Sequence, residues 1–128
     1  MPLLTINSTR RVAPEKKEPF IEAVAELYVD VMDSEPRFLS VRFRAVAREN
    51  LWLGRAENGS DVVVLEADIR AGRPPDQRRA FALQFMEKLH AEWGIPQPNM
   101  KVVFTEHEGS QMMGYDRVGD HWTPADGE

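Results

Sequence analysis

The second residue of the chain, Pro2, is the first candidate for chemistry. Processing enzymes usually remove a starting methionine when the next residue is small, and removal of Met1 would leave Pro2 with a free secondary amine. A main-chain amine titrates at roughly pH 8, and burial lowers the pKa of an amine because it disfavours the charged form. A neutral Pro2 nitrogen would therefore be a base that carries protons. The alternative is structural, because the first position of a strand also tolerates proline.

Two arginines, Arg70 and Arg73, are the second candidate. They follow the near-continuous apolar run VVVLEADI, at a point where a chain that leaves a sheet commonly forms a ligand site. Planar guanidinium groups bind a carboxylate through two parallel hydrogen bonds. The spacing therefore predicts a carboxylate site, although a solvated loop pair in contact with nearby aspartates fits the same sequence. Arg10 and Arg11 follow the first strand and are weaker candidates of the same kind.

The hydrophobic pattern predicts an α/β protein. Each of two helices begins near a proline, at Pro14 and Pro75, and shows apolar residues at helical spacing. Strands are predicted where apolar residues alternate with polar ones or form a short continuous run. The predicted strands are PLLTINS, FLSVRFRAV, VVVLEADI and MKVVFTEHE, and NLWLG is predicted as a short hairpin arm or strand extension.

The two halves of the chain resemble each other at an offset of 61 residues, which places Pro14 on Pro75 and Phe20 on Phe81. A repeat that contains strand, helix and strand predicts a duplicated βαβ unit, because parallel strands require a crossover connection. Two fused βαβ units would form a four-stranded, mostly parallel or mixed sheet with both helices on one face. The other face then needs a cover, and a partner subunit is the simplest one.

The length of 128 residues fits one domain. We predict that this domain covers 1–122, with the two βαβ repeats at about 2–57 and 61–118. Residues 123–128 are predicted to form a flexible tail, because the segment is polar and terminal.

Composition argues against several classes of function. The formal net charge of −5 at pH 7 argues against a protein that binds nucleic acid. The chain has no cysteine for a disulfide or a zinc–thiolate cluster, and no apolar segment long enough to span a membrane. Its three histidines show no metal-site spacing, and no glycine pattern for a nucleotide is present. We therefore expect a cytoplasmic protein that uses no metal or other cofactor.

A duplicated βαβ chain that begins with MP and places IRAGR after its third strand resembles the tautomerase superfamily, whose members use an amino-terminal proline as catalyst. The resemblance covers nearly the whole chain. The stretches NLWLGRAENGSDVVVLEADIRAGR and KVVFTEHEGSQMMGY are most similar to cis-3-chloroacrylic acid dehalogenase and its close homologues, with malonate semialdehyde decarboxylase as a more distant relative. The resemblance implies a homotrimer without a cofactor, in which Pro2 lies at the floor of a pocket and Arg70 and Arg73 hold the carboxylate of a small acid.

The chain departs from the dehalogenase pattern at three positions. The tyrosine and the glutamate that help to activate water in the dehalogenase fall on Val103 and Gly114, and a histidine of the first helix falls on Tyr28. A tyrosine donates a hydrogen bond but is a poor proton carrier near neutrality. Tyr115 and Glu106 lie close to the vacant positions and are candidates to replace the missing pair.

These departures favour tautomerisation over hydrolytic chemistry. We expect Pro2 to transfer a proton on a small enol or 2-oxo acid, with Tyr28 or Tyr115 as a hydrogen-bond donor to the substrate oxygen. Trp52 would form an apolar wall of the pocket or pack at a subunit contact. Two alternatives stay open. One is hydration, dehalogenation or decarboxylation of a three-carbon acid by a protonated Pro2, and the other is a non-catalytic trimer that binds a small acid.

Overall fold

The computed structural model describes residues 1–115 and 117–118. The first six helices and strands follow each other in the predicted order: β1 (Leu3–Ser8), α1 (Pro14–Met32), β2 (Ser40–Ala45), β3 (Val63–Arg70), α2 (Pro75–Trp93) and β4 (Met100–His107). Two short strands that were not predicted follow them, β5 (Met113–Gly114) and β6 (Arg117–Val118). The predicted domain boundary at 122 and the predicted tail at 123–128 lie outside the described residues.

The four long strands form one mixed sheet in the order β2-β1-β3-β4. The pairs β1–β2 and β3–β4 are parallel, and β1 and β3 are antiparallel. The sheet therefore consists of two βαβ units joined edge to edge, which confirms the predicted fold class. The antiparallel pair brings the start of β1 beside the end of β3, where Leu3 lies opposite Asp68.

The two helices are equivalent in length and in their ends. Each has 19 residues and begins at a proline, Pro14 or Pro75, whose fixed φ suits a first helical turn. Each ends at a residue in the left-handed conformation, Asp33 with φ of 50° and Gly94 with φ of 66°. A left-handed residue lets the chain leave the helix while its N–H still bonds to the last turn. The 61-residue repeat therefore extends to the helix caps.

The hydrophobic core lies between the helices and one face of the sheet. Buried helix residues recur at every fourth position, and alternate residues of β1 and β3 face them. The buried set includes Phe20, Val24, Tyr28, Phe81, Phe85, Leu89, Leu4, Ile6, Leu65 and Ile69. No helix within residues 1–115 is both long and apolar enough to cross a membrane.

The segment NLWLG does not form the predicted hairpin arm or strand extension. Residues 51–55 form a loop that follows the 3₁₀ turn Arg48–Asn50. The side chain of Arg48, in this turn, bonds to Asp61 at the far end of the loop, with 3.1 Å between Nη2 and Oδ1.

Candidate functional site

Pro2 is buried and lines a cavity of about 740 Å³. The cavity is formed by the start of β1, the 3₁₀ turn Pro36–Phe38, the ends of β3 and β4, and residues 111–114. The Pro2 carbonyl accepts a hydrogen bond from the Ser40 N–H at 3.0 Å, which continues the β1–β2 ladder and fixes the backbone of Pro2. Proline has no N–H that would be left without a partner at this position, so Pro2 costs the sheet no hydrogen bond.

A histidine–carboxylate pair lines the same cavity. The His107 Nε2 atom lies 2.8 Å from the Asp68 Oδ1 atom, and the two side chains are 31% and 39% exposed. No sequence pattern predicts a role for either residue. The parallel register of β3 and β4, together with the antiparallel register of β1 and β3, brings both side chains to the edge where Pro2 lies. The spacing of the two residues in the sequence does not reveal the pair, because only the register of the strands brings them together.

Arg37 also lines the cavity, and the sequence analysis missed it. Its Nε donates to the Glu35 carboxylate at 2.7 Å, and its guanidinium carbon lies 4.5 Å from the centre of the Phe38 ring. The Arg37 side chain is 70% exposed, so the ion pair is weak and the guanidinium can turn toward an anion in the cavity.

Arg73 is buried in the connection between β3 and α2. It is 6% exposed, and its Nε donates to the Met32 carbonyl at the end of α1 at 2.6 Å. This bond satisfies a carbonyl that has no partner within the helix. Arg70 Nη1 donates to the Ala71 carbonyl at 2.9 Å. Neither arginine belongs to the lining of the Pro2 cavity in a single chain.

Tyr28 lies in the core and does not line the Pro2 cavity. The Tyr28 side chain is 0% exposed, and its ring packs edge-on against Phe81 with 5.1 Å between ring centres. Among the residues that the structure describes, the Tyr28 hydroxyl has no hydrogen-bond partner. Burial raises the pKa of Tyr28 to about 12, and the positive charge of Arg73 lowers it by less. Tyr28 is therefore protonated throughout the neutral range.

The burial of Tyr28 predicts that the protein loses stability at alkaline pH. The folded pKa lies above the unfolded value of 10.0, so the stabilisation is complete below pH 10 and is lost as the pH rises toward about 12. We expect Tyr28→Phe to reduce the fall in the free energy of unfolding between about pH 8 and about pH 11, measured by urea denaturation. At neutral pH the variant should be as stable as wild type, because the hydroxyl that it loses has no partner. Equal alkaline losses in the two proteins would contradict this assignment.

The other predicted site residues lie on the surface of the chain. Tyr115 is fully exposed, and Trp52 is 87% exposed. Trp52 and Val103 line a second cavity of about 750 Å³ over the sheet face opposite the helices. Arg10 stacks on Trp93 with 5.7 Å between its guanidinium carbon and the ring centre.

The two positions that replace the water-activating pair of the dehalogenase lie in different cavities. Gly114 lines the Pro2 cavity, whereas Val103 lines the second one. A Cβ on Gly114 would lie 3.0 Å from the Met1 Cε, so Met1 fills the space that a side chain would need. Glu106 forms an ion pair with Arg78 of α2 at 3.2 Å, so it faces the helices.

The strand order and the two helices on one face are the fold of solved structures of the tautomerase superfamily, and this confirms the predicted likeness at the level of fold. A solved structure of N1, a member of the cis-3-chloroacrylic acid dehalogenase family, is 22% identical and has a TM-score of 0.78. The match covers 91% of this chain and 82% of that one.

Two further structures show the same fold. FG41 malonate semialdehyde decarboxylase, inhibited by 3-bromopropiolate, is 19% identical with a TM-score of 0.73, and the match covers 90% of this chain and 91% of that one. A fused 4-OT that forms a symmetric trimer is 17% identical with a TM-score of 0.78, over 92% of this chain and 95% of that one. The sequence matches no family model and none of the curated proteins.

Proposed function

We propose that the chain is a cofactor-independent tautomerase in which Pro2 transfers a proton on a small enol or 2-oxo acid. The observation that carries this proposal is that Pro2 is buried and lines a cavity large enough for a small acid. Polar side chains of three other elements, Arg37, Asp68 and His107, line the same cavity. An amine held in such a place is a positioned base.

The proposed chemistry requires a free amine, so Met1 must be removed. Burial favours the neutral form of an amine because it penalises the charged form. A neutral Pro2 nitrogen accepts the proton of the enol hydroxyl as the C=O bond forms. It then returns a proton to the neighbouring carbon, which gives the 2-oxo acid.

The carboxylate of the substrate is bound by guanidinium groups in this proposal. Arg70 and Arg73 are proposed for this role on the resemblance of IRAGR to the superfamily, and Arg37 on its place in the cavity wall. Bidentate hydrogen bonds would orient the acid with its reacting carbon toward Pro2. Replacing Arg37 and Arg70 separately with glutamine would show which of the two replacements raises KM.

We also propose that the chain assembles as a homotrimer, which completes the site. Trp52 and Tyr115 are large and exposed, and the sheet face opposite the helices is uncovered in one chain. A second copy that covers this face would bury Trp52, which lines it, and we propose Tyr115 as the hydrogen-bond donor to the substrate in the assembled site. The symmetric trimer of the fused 4-OT supports this arrangement. A single-chain mass in light scattering would contradict it.

The function is tested by the ultraviolet change that accompanies ketonisation of phenylenolpyruvate. We expect protein without Met1, verified by mass, to accelerate the reaction well above buffer. The matched control is the same chain with Met1 retained, whose Pro2 nitrogen is an amide and has no basic lone pair. Equal rates for the two proteins would overturn the proposal and leave the chemistry of three-carbon acids and the binding role to be tested.

A further inference from the structure

We propose that His107, oriented by Asp68, is a second proton carrier of the Pro2 cavity. Two groups would then divide the proton transfers of the tautomerisation: His107 would accept the proton of the enol hydroxyl, and Pro2 would donate a proton to carbon. This inference rests on the proposed function and changes one assignment in it: His107 replaces Pro2 as the acceptor of the enol proton, and Pro2 enters the reaction protonated and donates to carbon.

The architecture brings the three residues to one place. In the parallel β3–β4 pair, His107 lies beside Arg70 at the ends of both strands. In the antiparallel β1–β3 pair, Leu3 lies opposite Asp68, so Pro2 is next to this edge. The cavity is lined by Pro2, Asp68 and His107 together. A molecule in contact with Pro2 therefore has the histidine–carboxylate pair in the same space.

The contact with Asp68 determines which nitrogen of His107 is the base. An ionised carboxylate only accepts hydrogen bonds, so at 2.8 Å the Nε2 atom donates to Asp68 Oδ1 and holds the ring hydrogen. The lone pair of the neutral ring then lies on Nδ1. Within residues 1–115, no hydrogen bond involves Nδ1. A histidine whose proton is held by a carboxylate is prepared to accept a second proton, because the carboxylate stabilises the resulting cation.

The charged groups around His107 come from three elements. Asp68 on β3 contacts the ring of His107. Arg70 is the neighbour of His107 in the β3–β4 register, and Arg37 and Pro2 line the same cavity as His107.

The reaction step balances as follows. The enol O–H bond breaks as Nδ1 of His107 takes the proton, and the oxygen forms the C=O bond. The electron pair of the C=C bond takes a proton from the protonated Pro2 nitrogen, which forms the new C–H bond. The products are the 2-oxo acid, a protonated His107 and a neutral Pro2, and a proton passes from His107 to Pro2 through solvent before the next turnover.

The test compares His107→Gln with a matched histidine variant in the ketonisation assay. We expect His107→Gln to lower kcat by about 10²-fold, the low end of what a positioned acid or base contributes, with a much smaller change in KM. The control is His90→Gln, because His90 lies on α2, bonds to the Ile95 carbonyl and does not line the cavity. We expect this control to keep the wild-type kcat. Asp68→Asn should also lower kcat, because an amide that donates to Nε2 would move the ring hydrogen to Nδ1.

The pH dependence of kcat separates a proton carrier from a structural residue. With two carriers, activity requires neutral His107 and protonated Pro2, so His107→Gln removes the acid limb of the profile. With Pro2 alone as carrier, the acid limb belongs to Pro2 and persists in the variant. We also expect added imidazole to restore part of the activity of His107→Ala. A His107→Gln variant with wild-type kcat, or with reduced kcat and an unchanged acid limb, would overturn the inference.

These outcomes are distinct from a failure of the proposed function. If Pro2→Ala lowers the rate and His107→Gln does not, Pro2 is the sole carrier and only the inference fails. If Pro2→Ala leaves the rate unchanged, the tautomerase proposal fails, whatever the histidine variant does.

Discussion

Replacing Pro2 with alanine is expected to lower kcat/KM for ketonisation of phenylenolpyruvate by about 10²–10⁴-fold, the usual contribution of a positioned acid or base. Alanine leaves a primary amine at the chain end, but it lacks the ring that holds the nitrogen in one direction. The fold should be unaffected, because the Pro2 contact to the Ser40 N–H uses the backbone carbonyl, which alanine keeps.

Pro14→Ala is the matched control for this experiment. Pro14 begins α1 and does not line the Pro2 cavity, so its replacement changes one proline without changing the site. We expect Pro14→Ala to keep the wild-type kcat/KM. Both variants need mass verification that Met1 is absent. A Pro2→Ala protein that retains full activity and a normal melting curve would contradict the assignment of Pro2.

The second large effect concerns stability. We expect Arg73→Met to lower the free energy of unfolding by about 2–3 kcal/mol, because the Met32 carbonyl loses a charged donor at a site that is 6% exposed. Methionine keeps much of the side-chain length and volume, so the change tests the hydrogen bonding more than the packing. Urea denaturation monitored by circular dichroism measures the difference.

Arg70→Met is the control for the stability measurement. Arg70 is more exposed than Arg73, and its Nη1 donates to the carbonyl of the next residue along the chain. A replacement of this kind is expected to change the free energy of unfolding by about 0.5 kcal/mol or less. If Arg73→Met instead keeps full stability and raises KM, Arg73 serves the substrate and not the end of α1.

The position of Arg73 also affects the interpretation of activity measurements. A loss of activity in an Arg73 variant combines a damaged helix contact with any lost contact to the substrate. Arg37 and Arg70 are less buried, so their variants report on carboxylate binding more directly. The change in KM relative to kcat in those two variants is therefore the better test of the carboxylate site.

The fold could be predicted because the signals that determine it are local and repeated. The prolines at the helix starts and the apolar periodicity recur at an offset of 61 residues, and the structure shows the same caps at Asp33 and Gly94. The antiparallel pairing of β1 with β3 could not be derived from the repeat, because a repeat specifies each unit and not how two units join.

The site was harder to predict, because the pairing of strands and not a local pattern brings its residues together. Asp68 and His107 are 39 residues apart, and only the register of β3 and β4 brings them to 2.8 Å. Arg37 enters the cavity through a short 3₁₀ turn that has no periodic pattern. Tyr28 could have been identified as a core residue, because the offset places it on Leu89, which is also buried.

The join between the two βαβ units limits the protein to one strand that begins at a terminal proline amine. The offset of 61 residues places Pro2 on Val63, the first residue of β3. The nitrogen of Val63 belongs to a peptide bond, and a peptide nitrogen has no basic lone pair. Because the two units are joined in one chain, the second unit has no terminal amine. Each polypeptide therefore has one terminal proline amine, although it contains two βαβ units.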